Sequence, residues 1–411
     1  MYLTFAWRYF KAKKSANAIN IIAWVTVSVI AFATCCQILV LSVFNGFEDL
    51  VKSLYGAFYT DLKITPAKGK TFLLTAQQIE AIKKSNGVSG ISLIAEEKAL
   101  LQNNDNDDNK QATITLKGVD DNYKHITGVA DKTVMGKYET GDADNPKLVV
   151  GYGIQNNIAI SVDDRFQPSE LTIVLPKRGK VSAAHPEESL SEGNAIAAGV
   201  FAIQQEFDTR YVITNIDFVK QQMNFAANEY SAVEIKLSSD ADVALGKLQL
   251  QKLLGSSYDI KTKYQQNQSL YSTMQLEKWF IYAVLTLILL VAAFNMISAL
   301  TMLVLEKQKD ITILQSMGAT KKMVQKIFLS EGLLLAGIGA VSGIVLALII
   351  CFLQLKFHLI KIQGGSFLID YFPVKLEMAD FVLVAVTVSV IAFMAAWLPA
   401  RKASKQAIEL R

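Results

Sequence analysis

Four runs of the chain, residues 19–44, 280–305, 327–355 and 379–398, reach or exceed the roughly 20 apolar residues that a helix needs to cross a hydrocarbon core. Shorter apolar runs also occur in soluble cores, but four of this length with so few charges do not. In lipid each backbone N–H and C=O must be satisfied within its own segment, which makes the runs helices. The first and third are long enough to tilt or to project past the hydrocarbon. Only 19% of the residues are charged and the mean hydropathy is +0.28, so the apolar excess lies in these runs. A cleavable signal peptide has a shorter apolar core and a small-residue cleavage site; the first run has neither. Phe32-Ala33-Thr34-Cys35 is a poor lipidation box, because threonine precedes the cysteine.

Orientation follows from lysine and arginine near the span ends. Arg8, Lys11, Lys13 and Lys14 precede the first span. Lys307, Lys309, Lys321, Lys322 and Lys326 lie between the second and third, and Arg401, Lys402, Lys405 and Arg411 follow the fourth. The connection between the third and fourth is mixed, with Lys356, Lys361 and Lys375 against Asp370, Glu377 and Asp380. Both termini are expected to be cytoplasmic. The expected layout is a tail (1–18), the first span (19–44) and an extracytoplasmic domain with stalk helices (45–279). The second span (280–305), a cytoplasmic loop (306–326) and the third span (327–355) follow. A short outer loop (356–378), the fourth span (379–398) and a cytoplasmic tail (399–411) complete it.

The outer segment is long enough for one sizeable core or two small ones. Its patterning is α+β. Strands are expected at 61–65, 91–101, 112–117, 171–175, 210–214 and 232–237, and helices at 75–85, 217–227 and 241–254. QNNDNDDNK at 102–110 lacks the glycine and distal glutamate of a calcium-binding loop; between two strands it reads as a solvated hairpin loop. A second long polar loop is expected at 177–195. His125, His185 and His358, the three histidines, show no metal-ligand spacing. Cys35, Cys36 and Cys351 all fall in apolar runs and read as buried thiols. No catalytic elbow and no phosphate-binding G-x-x-x-x-G-K-[ST] loop occurs, so no metal or nucleotide is expected on this chain and ATP-driven work would need a partner. A net charge of +4 points away from a nucleic-acid partner.

The stretch between the second and third spans is the most informative. Glu306, Lys309 and Asp310 open a short amphipathic segment with Ile311, Leu314 and Met317 on one face. Gly318 is placed to end it, and Thr320 to cap the next helix. Such a helix rests on lipid headgroups or docks into a groove on a soluble protein; its residues alone leave both open. In the third span, Gly339 and Gly343 stand four apart, a spacing that lets helices approach closely. Glu331 lies just inside that span and reads as a structural group near the surface.

The run VLEKQKDITILQSMGATKKMVQKIFLSEG at 304–332 resembles the FtsX/MacB-type permeases of ABC transporters. INIIAWVTVSVIA with VLSVFNGFEDLV, LEKWFIYAVLTLILLVAAFNMISALTMLVLEK and the closing WLPARKASKQAIELR resemble the LolC/LolE lipoprotein-releasing permeases within it. NGFE at 45–48 favours that branch. The resemblance covers all four spans and both tails, with an FtsX-like region at about 280–405, and thins in the outer domain. It implies a membrane protein of four transmembrane α-helices plus a large α+β extracytoplasmic domain, a MacB-like periplasmic core, in a bacterial inner membrane. It further implies that 306–318 is the coupling helix seated on a LolD-like ATPase subunit, which holds the ATP and Mg. The implied partners are a second permease copy or a LolC/LolE-like sister, a lipoprotein, a LolA-like periplasmic chaperone and membrane lipids. Val40, Val43, Phe44 and Phe47 on the first span and Phe280, Ile281 and Leu285 on the second become candidates for an acyl-chain cavity, with lipid contact or helix packing as the alternative. Pro176, Lys177 and Arg178 open the loop that by position would contact the chaperone; an unrelated surface loop is the other reading.

Acyl chains explain why such a device needs energy and partners. Two or three chains carry on the order of 40 methylenes, and placing them in water at ~0.8 kcal/mol each would cost roughly 30 kcal/mol. Other functions compatible with the resemblance are a MacB-like exporter of small molecules or peptides and an FtsX-like regulator of cell-wall hydrolases.

Overall fold

The computed structural model describes residues 17–104, 110–162, 168–177, 190–361 and 371–404. They divide into two compact units, one of residues 17–50 with 272–404 and one of Val51–Tyr271.

The first unit is built from four helices long and apolar enough to cross a membrane: Asn17–Phe58, Gln268–Glu306, Lys321–Phe357 and Met378–Ser404. All four are longer than their apolar runs. The first and second continue past Leu50 and begin before Ser272, so the chain passes between the units inside helices rather than through loops. Ile30, Ile38, Leu41, Leu289, Met296, Leu300, Leu335, Val384 and Val388 are buried in one shared core. The third helix contributes small residues. A side chain at Gly343 would meet the Ala31 carbonyl oxygen at 2.4 Å, and one at Gly339 would meet Ile30 at 2.9 Å. Ala336, Gly339, Gly343 and Ala347 are all buried and form one stripe against the first helix. Glu331 is fully buried among the helices.

The second unit is α+β, as its patterning implied. Its strands are β1 (Leu62–Pro66), β2 (Phe72–Leu73), β3 (Val88–Asn103), β4 (Gln111–Val119), β5 (Thr133–Gly136) and β6 (Lys147–Gly151). They continue with β7 (Glu170–Pro176), β8 (Leu190–Phe201), β9 (Tyr211–Asn215), β10 (Glu229–Tyr230), β11 (Ala232–Leu237) and β12 (Tyr258–Thr262). Among the described residues a ten-stranded sheet runs in the order β12-β1-β11-β3-β4-β9-β6-β8-β5, with β7 bridging β3 and β8. β3 and β4 pair antiparallel and flank the Asp/Asn cluster, whose residues 105–109 lie outside the described residues. β8 begins at Leu190, so the second long loop is shorter than expected: residues 190–195 are strand, paired antiparallel with β7. The loop pattern had masked it, because SEGNA alternates small and polar residues without a marked apolar face.

Two cores form within this unit. The larger packs Leu62, Ile64, Leu101, Leu116, Ile173 and Val233 beneath helices 76–83, 216–223 and 243–254. The smaller gathers aromatic rings around the end of the first helix. Phe58 stacks on Phe207 with centroids 4.4 Å apart and lies 4.6 Å from Tyr211. Within this cluster Lys117 is fully buried; its ammonium donates to Glu234 Oε1 at 2.7 Å and Tyr123 Oη at 3.0 Å, 4.7 Å from the Phe58 ring.

Candidate functional site

The short helix between the second and third spans forms at Gln308–Ser316. Lys307 pairs with Asp310 at 3.0 Å across its first turn. Gly318 takes φ +96°, a left-handed conformation that suits glycine and ends the helix. The Thr320 side chain then accepts from Met323 N at 3.3 Å and caps the third span helix. Glu306 is half-buried and Lys309 is exposed.

The apolar face of this helix differs from the expected one. Ile311 is buried, packed with Leu303, Val304, Val324, Phe328, Ala400 and Ala403 of the bundle. Leu314 is half-buried, while Met317 is 80% exposed and Ile313 is 58% exposed. One side of the segment therefore anchors it to its own chain. Ile313 and Met317, four residues apart, share the outward side. Ile313 was not among the candidates, because a single-face pattern cannot show which apolar positions the chain itself consumes.

The cavity candidates differ in exposure. Val40 is exposed and Phe280 is 67% exposed, whereas Val43, Phe44, Ile281 and Leu285 are half-buried. Phe47 is engaged within the chain: its ring meets Phe372 edge-on at 5.8 Å. That contact belongs to a dock between the first helix and the connection from third to fourth span. A side chain at Gly46 would lie 2.3 Å from the Pro373 carbonyl oxygen. Lys375 N donates to the Ser42 carbonyl at 2.9 Å, and its ammonium pairs with Asp49 at 2.5 Å. The Asp49 hydrogen bond raises the pKa of Lys375 above its ordinary value. Gln354, buried near the end of the third helix, donates to the Ile360 and Phe372 carbonyls and accepts from Ile360 N. Within NGFE, Gly46 supplies the close backbone approach and Phe47 the ring for this docking surface.

Asn45 opens a second contact that sequence reasoning missed. Its Nδ2 donates to Asp380 Oδ2 at 2.5 Å, and its Oδ1 accepts from Lys278 Nζ at 2.8 Å. Lys278 lies 3.3 Å from Asp380 and 3.7 Å from Glu377. Asn45 and Asp380 are buried. The signal was present, since Lys278 and Asp380 stand at the edges of two spans, but span boundaries treat such charges as flanks rather than as partners.

In the second unit Pro176 closes β7 opposite Leu190, Lys177 is exposed, and Arg178 lies outside the described residues. The segment 178–189 connects two antiparallel strands. Among the described residues no group of three or more His, Cys, Asp or Glu side chains is arranged to hold a metal.

Comparison with known proteins fits this layout. Residues 23–253 match the model of the MacB-like periplasmic core domain, and residues 282–408 that of the FtsX-like permease C-terminal region. The lipoprotein-releasing system transmembrane protein LolC of Neisseria meningitidis serogroup B is 26% identical, covering 97% of this chain and 95% of that protein. LolE of Haemophilus influenzae is 24% identical, covering 97% of this chain and 96% of that protein. The crystal structure of the periplasmic region of MacB from Actinobacillus actinomycetemcomitans, at 13% identity and a TM-score of 0.37, covers 54% of this chain and 98% of that one. With the periplasmic core model matching more than half of its length, the chain belongs to the MacB-like permease family, in the full-length arrangement of LolC and LolE with an FtsX-like C-terminal region.

Proposed function

We propose that this chain is the permease subunit of an ABC transporter that takes lipoproteins from the outer leaflet of a bacterial inner membrane and passes them to a periplasmic chaperone. The observation that carries this reading is likeness to LolC and LolE over nearly the whole of both chains, outer domain included. In this reading the termini and the helix Gln308–Ser316 are cytoplasmic, and residues 51–271 are periplasmic. The energy comes from ATP and Mg on a LolD-like partner subunit. The outward Ile313 and Met317 side chains, flanked by Lys309, seat in an apolar groove on that subunit. A second permease, of this or a sister sequence, completes the assembly, and the loop that Pro176, Lys177 and Arg178 open between β7 and β8 contacts the chaperone.

The test is reconstitution with the ATPase in liposomes bearing a lipoprotein. Release into solution is expected only with ATP and the chaperone. Pumping of a small molecule, or activation of a wall hydrolase without lipoprotein release, would sink the reading. Ile313→Asp and Met317→Asp are each expected to lower coupled ATP hydrolysis by about tenfold, since loss of a docking hot spot costs about 2 kcal/mol or more. Unaltered hydrolysis would remove this helix from the docking role.

A further inference from the structure

The second span helix is held unevenly along its length. Its buried residues run from Leu289 to Val304, the half nearer the Gln308–Ser316 helix. Among the described residues none from Gln268 to Ile288 is buried. What that half offers its neighbours is a row of polar side chains, Lys278, Tyr282 and Thr286, four residues apart and so on one face. Each reaches another span. Lys278 binds Asn45 of the first and Asp380 of the fourth. Tyr282 shares a hydrogen bond with Thr387 of the fourth. Thr286 accepts from Gln37 Nε2 of the first at 3.3 Å. Gln37 and Asn45, eight residues apart, stand about 12 Å apart along the first helix.

Apolar contacts between helices cost little to exchange for lipid tails, because the tails are as apolar as leucine. Polar contacts in a bilayer are different, since a separated partner has nothing to bind until it reaches water or another polar group. The Leu289–Val304 half is therefore fixed by buried packing, whereas from Ser272 to Ile288 three sets of polar partners add to the partly buried contact of Tyr282 with the bundle core. The last of these is imperfect: Gln37 is fully buried, and its Oε1 has no hydrogen-bond partner among the described residues.

We infer that Lys278, Tyr282 and Thr286 are positioning residues that hold the Ser272–Ile288 part of the second span closed against the first and fourth, and that this part swings away about Leu289 during each transport cycle. The inference rests on the proposed transport role. Tyr282 and Thr286 form the inner rungs, and the Lys278–Asp380–Asn45 rung lies nearest the chain's exit toward residue 271. Lys278 remains partly accessible, with 24% of its side chain exposed, so separation there leaves the charges able to take water.

The test uses the full chain with its ATPase, with Cys35, Cys36 and Cys351 replaced by alanine. Gln37→Cys with Thr286→Cys, bridged by a short thiol-to-thiol cross-linker, is expected to keep ATP hydrolysis and lower lipoprotein release by about tenfold; release at the unbridged rate overturns the proposal. A second arm needs no cargo. Thr286→Cys alone is expected to react with a maleimide about tenfold faster during ATP turnover than without nucleotide, and equal rates overturn the proposal. Lys278→Met should speed that labelling without ATP, and Lys278→Arg should restore the slow rate. If the unbridged complex releases no lipoprotein while labelling still responds to ATP, the cargo assignment fails and the moving half-helix stands.

Discussion

Two buried ionisable groups of the outer domain show how single residues set its stability. Lys117 gives its charge to Glu234 and its remaining contacts to Tyr123 and the Phe58 ring, and Glu234 also lies 3.6 Å from Lys63. Removing one partner strands the other, so Lys117→Met is expected to cost about 3–5 kcal/mol. Lys117→Met with Glu234→Leu should recover most of that, as thermal melts of the detergent-purified chain can check; equal loss in both variants would contradict the pairing. Asp208 is a different case. Burial pushes its carboxyl from 3.8 up to about 6, against backbone N–H donors from Ile203 and Gln204 that draw it down. The raised value favours the protonated form in the fold. Its contribution is complete below about pH 4 and is lost as pH rises through about 6, a change on the order of 3 kcal/mol. Asp208→Asn should flatten this part of the stability–pH profile between pH 4 and pH 7.5, and an unchanged profile would rule the group out. Neither residue was legible in the sequence. Nothing in the strand TLKGV names a partner for its lysine, and Glu234 lies on β11, on the far side of β3 from β4 and 117 positions along the chain.

At the level of elements, the sequence carried more. The spans were visible from hydropathy, and Gly318 and Thr320 marked the ends of neighbouring helices. The third span holds a built-in comparison. Gly343 lies against the first helix, whereas a side chain at Gly337 would meet nothing within 4 Å. Gly343→Leu should therefore cost about 1–3 kcal/mol or prevent stable assembly of the four helices, while Gly337→Leu should leave the melting temperature unchanged. Similar losses at both positions would mean that glycine is needed there for some reason other than packing. Weak elements were harder to see. β2, β5, β6, β8, β10 and β12 escaped notice because very short strands and a Gly/Asn-rich strand lack a strong alternation, and the parallel pairing of β6 with β8 joins segments distant in the chain. The polar contacts of the second span were missed because each involves residues far apart in the chain, 105 positions for Tyr282 and Thr387 and 249 for Gln37 and Thr286.

For the whole molecule, the division at Val51 and Tyr271 places one unit inside the sequence of the other. Its first and last strands are direct neighbours, with Leu62 opposite Thr262. Lys263 N donates to the Asp61 carbonyl, and Gln266 to that of Thr60. A domain whose chain ends are stitched side by side is expected to fold when cut from its host. Residues 51–271 expressed alone should give a soluble, cooperatively melting protein with dispersed amide NMR signals; a collapsed spectrum would mean that the membrane helices are required. The lipoprotein reading, by contrast, was available from motif likeness alone, since no single cluster of side chains encodes a cargo.

The Leu62–Thr262 pairing also determines how this domain answers mechanical load. Opposed tension on its two chain ends is delivered at the same end of an antiparallel strand pair, where hydrogen bonds yield singly, like teeth of a fastener. Tension applied to both ends in one direction is instead spread through β1 into β11 and the rest of the sheet. The domain is soft to a difference between its two tethers and stiff to their common motion.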